Sequence, residues 1–130
     1  DMADLFTGKG GKPFTVRPGE ILTKILIPLR KTKGAYNKIR VRDSIDYPLA
    51  AAAISVCAGQ GAIAIGAVGP SPVAYPFMEI TDSAIRQAIE RAYGDAKPVA
   101  NRSLPAAYRK RMVRVLARKV AARVLGEEKR

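Results

Sequence analysis

Up to residue 68 the apolar positions either alternate or run together, and beyond residue 80 they recur every third and fourth residue. After the turn signal Pro18-Gly19, the β-branched and leucine-rich residues 21–27, stopped by Pro28, predict a strand. Residues 34–42 alternate strictly, with Ala35, Asn37, Ile39 and Val41 on one face and Tyr36, Lys38, Arg40 and Arg42 on the other. Residues 49–58, LAAAAISVCA, read as a buried strand, although their alanines would also suit a helix. Gly59-Gln60-Gly61 supplies a turn into a second apolar strand, residues 62–68, and the two make a hairpin. Small side chains at so many of these positions predict a second layer packed very close to the sheet. Residues 6–12, FTGKGGK, read as an irregular connection without P-loop spacing, and residues 69–76, GPSPVAYP, as a proline-punctuated loop.

The period then changes. Thr81 or Asp82 caps a helix running to about Tyr93, with Ile85, Ala88, Ile89 and Ala92 on its apolar stripe and Gly94 as its stop. A longer helix is entered through Ser103 and Pro105 and ends at Gly126. Its stripe is Tyr108, Met112, Leu116, Val120 and Val124, flanked by Val113, Ala117, Ala121 and Leu125. Strands first and helices afterwards imply an α+β fold: an antiparallel sheet of three to four strands followed by two to three helices packed on one face.

Charge narrows the choice of partner. The 130 residues carry 23 Lys+Arg against 11 Asp+Glu and no histidine, a net charge of +12, so an anionic partner is expected. Cys57 is the only cysteine, which excludes an intrachain disulfide and a thiolate cluster and argues against a zinc site. With no histidine, Ser–His and Cys–His nucleophile pairs are excluded as well. No apolar run reaches the ~18–20 residues of a membrane span, and a cytoplasmic location is expected. The carboxylates are scattered. Asp43 and Asp46 sit on a turn, where Asp46 is expected to satisfy loop amides or pair with a neighbouring arginine. No two acids are set up as general acid and base.

The C-terminal helix holds Arg109, Lys110, Arg111, Arg114, Arg118, Lys119 and Arg123. Arg111, Arg114 and Arg118 share a face that could track phosphates, which makes a small basic nucleic-acid-binding protein the alternative function. A solvated face, or one docked on an acidic subunit, is the preferred reading, because no aromatics are interleaved for stacking. No complete catalytic apparatus emerges, and the residues describe an accessory domain.

Five stretches in order resemble one family: DLFTGKGGK, RPGEILTKILIP, AYNKIRVRDSIDYPLAAAAISV, GAIAIGAVGPSPVAYP and AAYRKRMVRVLARKVAARVL. Together they are similar to the C-terminal domain of the FAD-binding subunit of molybdenum hydroxylases, the group of xanthine dehydrogenase, carbon monoxide dehydrogenase and hydroxybenzoyl-CoA reductase. The resemblance implies that residues 1–12 are the tail of a preceding FAD-binding domain and residues 13–130 the flavoprotein C-terminal domain. The opening Asp1-Met2-Ala3 fits that expectation of a piece with something upstream. It further implies an electron relay in which the molybdenum cofactor and iron–sulfur clusters sit in partner subunits, with FAD held mostly by the upstream domain. Carried over by motif, Leu22 of GEIL would lie against the flavin ring and Lys38 of AYNK would approach its polar rim. The chain by itself is then expected to bind no flavin tightly and to catalyse nothing.

Overall fold

Antiparallel pairing of consecutive segments organises the chain. A computed structural model describes residues 2–43, 45–100 and 104–126. In it β3 (Lys33–Ile39), β4 (Ala50–Cys57), β5 (Gln60–Gly66) and β6 (Val73–Phe77) form one four-stranded sheet in sequence order. The tight turn between β4 and β5 places Ala58 and Gly59 at φ 49° and 83°, the doubly left-handed backbone that matches strand twist in a two-residue hairpin. A separate hairpin, β1 (Phe6–Lys9) and β2 (Lys12–Phe14), precedes the sheet, its Phe6 and Phe14 rings 5.6 Å apart.

Register decides which side chains meet the helices. Ala52 pairs with Ile65, and Ile54 with Ile63, which in turn faces Tyr75. These residues therefore share one face, together with Ala35, Ile39, Ala50 and Phe77, and that face is buried. Two helices cover it, α1 (Asp82–Asp95) and α2 (Ala106–Leu125). Thr81 caps α1 by accepting a hydrogen bond from the Ala84 amide at 3.2 Å, and Gly126, at φ 77°, closes α2 in a left-handed cap. Ala50 and Ala52 on the sheet, against Ala117 and Ala121 on α2, let the two layers approach closely, as the small residues predict. The α+β expectation holds, with four strands in the main sheet and two α-helices on it among the described residues.

Five local expectations are corrected. Residues 21–27 form no strand; the chain between β2 and β3 has no regular structure. The fourth strand is instead β6, which begins inside the stretch read as a proline-punctuated loop and ends at Phe77. Its Pro76 is tolerated because β6 is an edge strand and need not donate outward. The stretch at 6–12 folds into the first hairpin, where Gly8 takes φ 71°. The alternating strand stops at Ile39 rather than at residue 42, and α1 runs past Gly94 to Asp95. The helix entry read at Ser103 lies outside the described residues. Among those residues, no helix is long and apolar enough to cross a membrane.

Gly61 is fixed by space: a Cβ there would stand 2.5 Å from the Ser55 carbonyl oxygen and 2.6 Å from the Phe77 ring. Gly61→Ala should therefore cost about 1–3 kcal/mol in urea unfolding. The Tyr75 hydroxyl is buried without a hydrogen-bond partner among the described residues. Burial pushes its phenol above the ordinary value; the nearby Asp95 carboxylate, not in bonding geometry, adds to this, and Arg91 opposes it. The fold thus favours the protonated ring, so its contribution is intact below the unfolded-state value of about 10 and is lost as pH rises through the higher folded value. Tyr75→Phe should leave stability near neutrality almost unchanged and flatten the loss seen above about pH 10 in pH-dependent melts.

Candidate functional site

The second face of the sheet is left open by the helices. Register places Tyr36 beside Ala53 and Ala64, and Lys38 beside Ala51 and Gly66. Beside these two residues the central strands present only alanine and glycine, a flat floor between β3 and the loops, and Ser55 and Cys57 follow on the same face of β4. Tyr36, Pro48, Ala51, Ala64, Gly66 and Pro72 border a concavity of about 360 Å³ on this face. A Cβ added at Gly66 would meet nothing within 4 Å, so the room above this part of the floor is not taken up by packing among the described residues. Tyr36, 55% exposed, stands as the wall of the concavity.

The three cations of the alternating stripe have different fates. Arg40 pairs with Asp43 at 3.8 Å and Arg42 with Asp46 at 3.7 Å, both beyond the end of β3. Asp46 also accepts backbone hydrogen bonds from Arg42 at 3.2 Å and Tyr47 at 2.9 Å, the local role expected of it. Burial acts to raise its carboxyl, but the two amides and the Arg42 guanidinium outweigh that and hold it below its ordinary value. Lys38 differs. It is half-buried at the edge of the alanine floor, and among the described residues no carboxylate pairs with it. Leu22, the other residue singled out by resemblance, lies in the irregular stretch before β3, 55% exposed, and neither it nor Lys38 lines the concavity beside Tyr36.

On α2 the basic residues do not form one phosphate-tracking face. Arg114 donates from Nε to Glu90 at 3.0 Å, also pairs with it through Nη2, and stacks its guanidinium 3.5 Å from the Tyr93 ring centroid. Lys110 lies over the same ring and donates to the Gly94 carbonyl at 3.2 Å. These contacts bind α2 to α1 and take Arg114 out of the row with Arg111 and Arg118. The nucleic-acid reading loses its central residue.

Arg109 was hidden in that basic run, and its role is structural. It is 7% exposed and donates from Nε to the Leu49 carbonyl at 2.8 Å, from Nη1 to Val99 at 2.6 Å and from Nη2 to Ala67. One guanidinium thus ties the start of β4, the end of β5 and the loop between the helices. Its signal was positional: Arg109 lies four residues before Val113 on the stripe that is buried, with Leu116, Ala117 and Val120. A strict step of four drifts around a 3.6-residue helix, so the expected stripe through Tyr108 and Met112 lay one position off at this end.

No protein-family model matches the chain. Solved structures do. The chain superposes on reconstituted CO dehydrogenase from Oligotropha carboxidovorans with a TM-score of 0.78 and 24% identity, covering 97% of this chain and 48% of that one. Against quinoline 2-oxidoreductase from Pseudomonas putida 86 the TM-score is 0.74 at 21% identity, with coverage of 95% and 47%. It shares their fold. The carbon monoxide dehydrogenase of Hydrogenophaga pseudoflava matches less of it, 73% of this chain and 37% of that one, with a TM-score of 0.62 and 19% identity. The chain spans about half the length of the first two solved chains.

Arg109→Met keeps the aliphatic stem but strands three carbonyls. It should cost about 3–5 kcal/mol in denaturant unfolding, and Arg109→Lys, which cannot reach three acceptors, should recover only a minor part of it.

Proposed function

We propose that this chain is an accessory domain of the flavin-binding subunit of a molybdenum-containing hydroxylase or dehydrogenase. Its open sheet face closes over one side of FAD held mainly by a separate upstream domain. The observation that carries the reading is Lys38, a half-buried ammonium without a carboxylate partner among the described residues, beside a floor of alanines and glycine. Such a surface suits a group that is flat and anionic at its rim. The fold shared with CO dehydrogenase and quinoline 2-oxidoreductase, over about half of their chains, supports the same assignment.

A bound flavin would supply electron storage and take on negative charge when reduced. The chain's own part is simpler. Tyr36 and the alanine floor exclude water and offer a flat contact, while Lys38 places a positive charge where that negative charge develops. At an effective dielectric near ~20, a cation about 4 Å from an anion contributes roughly 4 kcal/mol before desolvation is subtracted. Leu22 is proposed as an apolar contact to the ring from outside the concavity. By resemblance, the partners are an upstream FAD-binding domain, an iron–sulfur subunit and a molybdenum subunit carrying the molybdenum cofactor.

Lys38→Met tests the reading in the assembled flavoprotein. Loss of the cation should lower the flavin midpoint potential, by roughly 30 mV for each ~1.4 kcal/mol in a two-electron couple, while Arg42→Ala leaves it in place. An unchanged potential in Lys38→Met, measured by spectroelectrochemical titration, would remove Lys38 from the site.

A further inference from the structure

Residues 21–28, ILTKILIP, have the composition of a buried strand and the surroundings of none. Ile21 is 84% exposed, Leu26 80% and Ile27 79%, and Leu29 just beyond is wholly exposed. Among the described residues, no hydrogen bond involves the backbone of 21–28, although the turn before it is held by Glu20 bonding back to Arg17 at 3.0 Å. A row of unpaired amides and carbonyls on β-branched residues is a template for strand addition.

We infer that residues 21–28 are a strand donated to the sheet of another domain. The side-chain pattern says what kind of sheet. Ile21, Thr23, Ile25 and Ile27 fall on one face and Leu22, Lys24 and Leu26 on the other, so both faces are mainly apolar. Strands of a half-solvated sheet alternate, whereas a strand apolar on both faces belongs to a sheet covered on both sides, as in α/β domains. The chain's own sheet has one open face, so its edges do not meet that requirement. The occupant is therefore an α/β domain with a free sheet edge. We assign it to the upstream flavin-binding domain, in the portion of the solved chains that this chain does not span. Coverage of 97% of this chain in the CO dehydrogenase match leaves too few residues outside it to omit the segment, which is thus present in the longer chain too. This partner rests on the function proposed above; the strand character does not.

Hydrogen exchange read by mass spectrometry tests both parts, on the isolated 130-residue chain and on the assembly recovered from its source cells with the tagged chain. The amides of residues 21–27 should exchange freely in the isolated chain and on the order of a hundredfold more slowly in the assembly, with a flavin-containing domain present in it. Ile25→Pro should abolish that co-recovery while leaving the melting temperature of the isolated chain unchanged. A flavin domain recovered with residues 21–27 still exchanging freely would overturn the donated strand and leave the function standing. Protection in an assembly with no flavin-binding component would overturn the function and the assigned occupant. Protection that depends only on the concentration of the chain itself would show exchange between two copies and overturn the assignment as well.

Discussion

The fold turns on a single buried guanidinium. Arg109 gathers three backbone carbonyls that no backbone amide satisfies among the described residues: Leu49 ahead of β4, Ala67 after β5, and Val99 between the helices. Burying the charge is costly, and so is burying unpaired carbonyls; brought together, the two costs largely cancel. Ala67 holds φ 62°, an expensive backbone for a residue with a Cβ, and its carbonyl is one of the three acceptors. Arg109 also sits in the first turn of α2, where the helix dipole disfavours a cation, so its ligands must offset that as well. The ends of β4 and β5, which border the alanine floor, are placed by this contact.

That floor depends on β4 and β5 serving two surfaces. Ala50, Ala52, Ile54 and Val56 look toward the helices, and the residues between them look away. On the helix side small residues are required by close packing. On the other side Gly66 has open space above it, so smallness at that position is not required by packing among the described residues. This asymmetry separates a face used by the fold from a face kept free of it. It coincides with the position of Lys38, the cation of its stripe left without an acidic neighbour among the described residues.

Much of the architecture was legible because it is periodic. The stripe of Ile85, Ala88, Ile89 and Ala92 is the buried face of α1, and the two alanine-rich runs form the central hairpin of the sheet. What was not legible depended on partners far along the chain. Pro76 marked a loop only until its place on an edge strand became known. Residues 21–27 carry a strand's pattern, but a pattern specifies faces and not the edge that completes them. Arg109 and Arg114 looked alike among seven cations, and only the packing of α1 and the loop ends gave one a cage of carbonyls and the other a carboxylate. At the candidate site, alternation put Tyr36 and Lys38 on one face, while the pairing of Arg40 and Arg42 with Asp43 and Asp46 required the bend after Ile39.

The choice of arginine for the central anchor has a further consequence. A guanidinium keeps its charge at biological pH, and the chain contains no histidine, the side chain whose ordinary titration falls between about pH 5 and 8. The three shifted groups among the described residues move away from that window, Asp46 downward and Tyr75 and Arg114 upward. The domain is therefore an acid-insensitive frame around neutrality. Any group that docks on the open face of the sheet would therefore meet a frame that holds its shape and its charges while protons come and go around it.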